Sequence, residues 1–363
     1  MIFTEKRIRR IKYLFTTMLI ICMTPLYESV RPLSGADSKN DWFTGKELVC
    51  AIDLGDDMRG AHGLETGFSY ELIRQFAKDN NCTVRIVTAG RKNASTYMDS
   101  LLNGSIDILI THVEDAKLND SLNISRPIND CSAWVTSGAD LNSVRTINRW
   151  ISYYTSTSEY SQMEERFFLH RTINPEKRAA NGVLTKTISP YDELIKKYAK
   201  ELGWDWRMLA AVVYQESKFS INSQSHRGAT GLMQIMPATG LKYGIEDLVN
   251  PENNLIAGTA HLKRLQKMFI GKGLSQEELI RFTLASYNAG EGRIIDCRNL
   301  AAAQGLDNRV WANIVTVIPM MREDAILQDE SVKLGKFQGH ETIAYIESVQ
   351  SLYNAICTIC PAS

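Results

Sequence analysis

Apolar periodicity along the chain changes once, near residue 188, and that change limits the architectures open to it. Leu48 to Ile52 reads as a strand, and Gly67 opens a helical stripe through Phe68, Leu72, Ile73 and Phe76 that ends near Asn80-Asn81. Thr83 to Thr88 alternates around Val84 and Ile86. Tyr97, Met98, Leu101 and Leu102 make a second helical face closed by Asn103-Gly104, and Ile106 to Ile110 is again strand-like. Strand, helix, strand, helix, strand with short connections predicts a parallel sheet covered by helices. Beyond this stretch the pattern is helical. Ser189-Pro190 with Asp192 reads as a capped helix start, Leu194, Ile195, Tyr198, Ala199 and Leu202 form one face, and Gly203 stops the helix. No comparable strand run follows. The expected fold class is an α/β N-terminal domain followed by an all-α C-terminal domain.

A length of 363 residues accommodates two such domains at roughly 150 residues each. Arg171 to Ile188 is polar, with Pro175 and Gly182, and reads as the junction. The predicted organisation is an N-terminal segment over 1–36, an α/β domain over 46–170, a linker over 171–187 and a helical domain over 188–363. Forty-one basic residues balance 41 acidic ones. A nucleic-acid partner is therefore not expected.

Basic residues concentrate only at Lys6, Arg7, Arg9, Arg10 and Lys12, ahead of an apolar run from Tyr13 to Tyr27. That is the layout of a secretory signal or a retained N-terminal anchor. Cys22 follows Leu19-Ile20-Ile21 as in a lipoprotein cleavage site, although Ile21 is larger than the residue such sites use. Cleavage near Ser34 to Asp37 is the alternative. Each reading exports the protein to the periplasm, and the lipoprotein and anchor readings also attach it to the membrane through the N-terminus. Cys357 and Cys360 have redox-pair spacing but close the chain with no helix after them, so they read as buried or paired thiols. The six histidines show no metal-ligand spacing, and neither a metal nor a cofactor is expected.

Asp205 caps a helix whose inner face reads Leu209, Val212, Val213 and Glu216. At 100° per residue Glu216 falls on the side of the valines. A carboxylate on an apolar stripe is desolvated, which raises its pKa toward that of a general acid working near neutrality. A glutamate at a helix end can also turn out to solvent or pair with a cation, and position alone does not separate the readings. No further acid appears before Glu246. The interval holds Ser217, Ser225 and the run Gly228-Ala229-Thr230-Gly231-Leu232-Met233-Gln234-Ile235-Met236-Pro237, and later comes Ser286-Tyr287-Asn288-Ala289-Gly290. Glycines allow close backbone approach, and tyrosine faces and amides suit sugar rings and N-acetyl groups.

In this order Glu216-Ser217, Gly231-Leu232-Met233-Gln234-Ile235, Tyr287-Asn288-Ala289-Gly290 and Glu341-Thr342-Ile343-Ala344-Tyr345 closely resemble the signature blocks of soluble-type lytic murein transglycosylases, from about Ile188 to Tyr353. The resemblance implies a lysozyme-like helical fold that cleaves the β-1,4 bond between N-acetylmuramic acid and N-acetylglucosamine in peptidoglycan glycan strands, leaving 1,6-anhydromuramic ends. It implies Glu216 as the catalytic acid and base, with Ser217, Ser225, Gln234, Met236, Tyr287, Asn288 and Tyr345 at the substrate. A hydrolase of goose-lysozyme type, with a second carboxylate, and an inactive wall-binding protein are the competing readings.

Gly67-Phe68-Ser69-Tyr70-Glu71-Leu72 and Leu101-Leu102-Asn103-Gly104-Ser105-Ile106-Asp107-Ile108 resemble the first lobe of periplasmic solute-binding proteins of the amino-acid type. A front domain of that kind joined to this catalytic type resembles the membrane-bound lytic murein transglycosylases. Two departures matter. Thr111-His112-Val113-Glu114-Asp115 lacks the arginine that clamps an α-carboxylate, and the second lobe is missing. The front domain is therefore expected to be a single lobe serving as spacer or docking module, with muropeptides or a wall-associated protein as candidate partners.

Overall fold

The structure, a computed structural model, describes residues 42–54, 62–88, 94–116, 121–128, 132–168, 174–324, 326, 332–334 and 336–361. The N-terminal segment with Cys22, and also Cys131, lies outside these residues. Among the described residues no helix is long and apolar enough to cross a membrane. From Gly45 onward the chain forms one compact unit.

That unit begins with β1 (Glu47–Asp53), α1 (His62–Asp79), β2 (Thr83–Thr88), α2 (Ala94–Leu102), β3 (Ile108–His112), the short α3 (Val113–Ala116), β4 (Leu122–Ile124) and β5 (Ser132–Ser137). The strands form one sheet in the order β2-β1-β3-β5-β4. β1 is parallel to β2 and β3, as the spacing predicts. β5 is antiparallel to both β3 and β4, so the sheet is mixed rather than parallel. The segment between β4 and β5 is too short for a crossover, which parallel pairing of the two would need.

Two helices, α4 (Leu141–Tyr154) and α5 (Ser158–Phe168), complete this part. Fully buried Trp134 of β5 lies edge-on to Phe76 of α1 at 5.3 Å and near-parallel to Trp150 of α4 at 5.7 Å. The aromatic packing continues through Tyr154, Tyr160, Phe68 and Phe167 to Tyr191, at the start of the helical part. Gly67 does not open α1 but lies inside it. A Cβ there would run into the Tyr191 hydroxyl and come within 2.9 Å of the Phe167 ring, so the glycine permits close approach in mid-helix.

The rest is helical: α6 (Pro175–Ala180), α7 (Asp192–Leu202), α8 (Trp206–Ser217), α9 (Pro237–Lys242), α10 (Pro251–Lys267), α11 (Gln276–Ala289), α12 (Glu291–Ala303), α13 (Trp311–Val317), a 3-10 turn (Ile318–Arg322) and α14 (His340–Ile359). α7 begins at Asp192 with Tyr191 as its N-cap, so Ser189-Pro190 forms a turn ahead of the helix rather than its cap and first turn. Asp192 accepts from the backbone N–H groups of Ile188 (2.7 Å) and Ser189 (2.8 Å), while Ser189 Oγ accepts from Tyr191 N–H (3.1 Å). Gly203, at φ 75°, ends α7, and Asp205 caps α8 by accepting from Arg207 N–H at 2.9 Å. Met208, Leu209, Ala210, Ala211, Val212 and Val213 are all buried. A helix apolar on every side belongs at the centre. α8 packs against α7 and α14.

The segment expected to be a polar linker, 171–187, contains α6, capped by Asn174 and begun by buried Pro175. α6 lies against α14, where Ser351 Oγ donates to Glu176 Oε1 at 2.8 Å, and Thr185 N–H donates to Ile359 O at 2.7 Å. Polarity of sequence concealed a helix that needs only one buried side to dock. Cys50, Cys297 and Cys360 are buried, and with Cys82 and Cys357 they form no disulfide.

Candidate active site

Glu216 occupies the last turn of α8. The helix closes at Lys218, whose N–H donates to Tyr214 O at 2.9 Å, and Lys218 and Phe219 both adopt left-handed backbone conformations, at φ 54° and 64°. Such conformations are uncommon for residues other than glycine. Glu216 is partly buried, and its Oε1 accepts a 2.6 Å hydrogen bond from the Tyr345 hydroxyl of α14. Burial pushes its pKa from the usual 4.5 up to about 7, against the opposing pull of the Tyr345 bond and the Lys218 charge. With Oε1 engaged, Oε2 is left to carry the proton. Burial also raises the Tyr345 and Tyr287 phenols well above their ordinary range, so both remain donors.

The loop facing the acid is held by backbone and amide bonds. Ser223 O accepts from Gly231 N–H and from Gln234 Nε2, each at 2.9 Å, and Thr230 bridges to Gln224 and Ile235. Gly231 sits at φ 79°, and a Cβ there would come 2.5 Å from Leu248 O and overlap the Asn254 amide. Completely buried Asn254 anchors the loop. Its Oδ1 accepts from Met233 N–H at 2.8 Å, and its Nδ2 donates to Thr230 O at 2.9 Å and Leu248 O at 2.8 Å. On the far side, Tyr287 donates to Met233 O at 2.6 Å, and Thr342 Oγ1 donates to Asn288 Oδ1 at 2.8 Å, tying α11 to α14.

Of the residues singled out in the sequence, Glu216 and Tyr345 are in direct contact, and the Glu216 charge reaches Tyr287. Gln234 is half-buried, with its NH2 spent on Ser223 O and Gly231 O, which leaves Oε1 to receive a donor. Met236 is 40% exposed at the start of α9, and Asn288 is exposed. Ser217 departs from the expected substrate contact. Its hydroxyl is buried and donates to Val213 O and Leu232 O, because one residue beyond Glu216 the helix faces inward; it pins the loop to the acid. Ser225 is exposed, and its hydroxyl accepts from Ala229 N–H at 3.0 Å within a local turn.

Three residues of the site were not picked out in the sequence. Asn254 and Lys218 carry no pattern that separates them from ordinary polar positions. His261 of α10 lies 5.5 Å from the Tyr287 ring, and its Nδ1 is 3.3 Å from the Tyr243 hydroxyl. Burial lowers the pKa of this imidazole. Among the described residues no group of three or more His, Cys, Asp or Glu could hold a metal ion.

Residues 193–310 match the family model of the Transglycosylase SLT domain. The membrane-bound lytic murein transglycosylase F of Desulfosudis oleivorans is 30% identical over 268 residues, covering 71% of this chain and 58% of that protein. The protein of the same name from Vibrio campbellii is 30% identical over 202 residues, covering 55% of this chain and 37% of that one. The chain thus spans less than two thirds of the length of these relatives. The 70 kDa soluble lytic transglycosylase of Escherichia coli aligns with a TM-score of 0.35 at 21% identity, covering 58% of this chain and 32% of that one. Residues 193–310 are thus similar to the Transglycosylase SLT domain, in a chain similar in sequence to membrane-bound lytic murein transglycosylase F.

Proposed function

We propose that the protein is a peptidoglycan lytic transglycosylase with Glu216 as its single acid and base. The observation that carries the reading is the state of Glu216: raised to about 7 by burial, with Oε1 fixed by Tyr345 at 2.6 Å. A carboxyl group poised near neutrality can both give and take a proton. Protonated Glu216 donates to the glycosidic oxygen as the muramyl C1–O bond breaks and N-acetylglucosamine leaves. The resulting carboxylate takes the proton of the muramyl 6-hydroxyl as that oxygen bonds to C1. The acid is regenerated, no water is consumed, and the product is a 1,6-anhydro ring. Gln234, Met236, Tyr287, Asn288 and Tyr345 line the substrate, and Ser217 and Ser225 shape the loop behind them.

The helical part is read as a lysozyme-like domain over 188–363, and the sheet part over 46–170 as one lobe of a solute-binding-like fold that docks rather than encloses a ligand. Residues 1–36 direct export to the periplasm, by cleavage or with retention at the membrane. The test is digestion of purified sacculi by the full chain, followed by mass spectrometry of the released muropeptides. Anhydro ends, lighter by one water than their hydrolysed counterparts, are expected as the main species. Reducing ends as the main species would overturn the reading in favour of a lysozyme-like hydrolase.

A further inference from the structure

Gly63, Gly67 and Glu71 are spaced four residues apart on α1 and so form one ridge along that helix. Each meets the chain at the helical part of the molecule. A Cβ on Gly63 would lie 2.6 Å from Ser220 Cβ, 2.7 Å from its Oγ and 3.3 Å from its Cα, so the first turn of α1 rests directly on the chain just beyond α8. Gly67 receives the buried Tyr191 hydroxyl, which has no hydrogen-bond partner among the described residues and is held there by packing. Glu71 pairs with Arg166 of α5, which also donates to Pro190 O at 3.4 Å. The ridge therefore crosses both the chain entering α7 and the chain leaving α8.

Ser220 stands between the acid and the loop that faces it. Its N–H donates to the O of Ser217, the neighbour of Glu216, at 3.0 Å. Three residues further on, Ser223 O accepts from Gly231 and Gln234. The turn from Glu216 to Ser220 passes through two successive left-handed residues, Lys218 and Phe219. Such conformations persist where the surrounding structure over-determines them. On the inner side, Phe219 is buried with its ring 5.5 Å from that of Tyr214, and Ile221 is completely buried. On the side of the sheet part, the wall is Gly63, whose missing side chain is what lets α1 come this close.

We infer that Gly63 and Ser220 are positioning residues for the general acid: the first turn of α1 buttresses the turn that ends α8 and so fixes where Glu216 stands relative to Tyr345 and the facing loop. The sheet part is then a piece of the active-site framework and not only a spacer or docking module. Glu216 acts at the bond being broken, whereas Met236, Tyr287 and Asn288 meet the rest of the substrate. Displacing the turn should therefore lower the maximal rate rather than the affinity for the wall.

This inference rests on Glu216 being the acid. It is tested on the full chain by muropeptide release over a range of sacculus concentrations, well below the melting range of each variant. Gly63→Ala should lower the maximal rate by about fivefold and leave the half-saturating concentration unchanged. Alanine is ordinarily the better helix former, so the loss reports the contact and not helix propensity. Ser220→Gly removes the side-chain atoms that the new Cβ would strike. Combined with Gly63→Ala it should restore the maximal rate to within about twofold of Ser220→Gly alone, the coupling expected of residues in contact. Ser220→Val enlarges the other partner and should lose rate as Gly63→Ala does, which reads the same contact if Gly63→Ala does not fold. A wild-type maximal rate in Gly63→Ala, or a loss that Ser220→Gly leaves unrelieved, would overturn the inference. A Glu216→Gln control that still cleaves sacculi would instead refute the role of Glu216 itself.

Discussion

The Tyr345 hydroxyl and Glu216 Oε1 meet at 2.6 Å across 129 residues of sequence, joining the last helix of the chain to the end of the central one. The bond opposes burial, because a donor to the carboxylate stabilises its charged form. It also decides which oxygen presents the proton. Orientation and acidity of the acid are thus set by one contact.

Replacing Tyr345 by phenylalanine should lower the rate of wall cleavage by about tenfold, the equivalent of one hydrogen bond to a charged group. Loss of the donor should also raise the proton affinity of Glu216 and carry the alkaline limb upward. A pH–rate profile of the variant on sacculi checks both. An unchanged rate and limb would remove Tyr345 from the site.

Glu216→Gln should reduce cleavage at least ~10²-fold while leaving the fold intact. Its stability carries a pH signature. Because the folded pKa of Glu216 is about 7 against an ordinary 4.5, its contribution is fully present below 4.5 and is lost as pH rises through 7. Glutamine has no charge to bury. The variant should match wild type in denaturant melts near pH 4 and exceed it above pH 7 by on the order of 3 kcal/mol at most. A stability difference independent of pH would show that Glu216 ionises freely in the folded protein.

Asn254→Leu should destabilise the protein by about 3 kcal/mol. Met233 N–H, Thr230 O and Leu248 O each lose a buried partner, at roughly 1 kcal/mol or more apiece. Cleavage should fall with stability, since the 223–236 loop loses its anchor. Thermal or urea unfolding measures the first effect, and sacculus digestion below the melting range the second. A change under 1 kcal/mol would mean the loop is held mainly by Ser217 and Gly231.

Local interactions were legible in the chain itself. The change of periodicity near residue 188, the Ser189–Asp192 turn, the Gly203 stop, the Asp205 cap and the placement of Glu216 beside the valines all depend on residues within four positions of one another. The signature blocks followed because their order survives in a linear reading. Packing decided what no spacing encodes: the antiparallel β5, the docking of α6 on α14, the inward turn of Ser217, the Asn254 anchor and the meeting of Tyr345 with Glu216. The physical reason is that helix caps and amphipathic faces are set by backbone geometry within a turn. The acidity of a carboxyl group depends instead on which distant side chains exclude water from it and which bring it a donor or a charge.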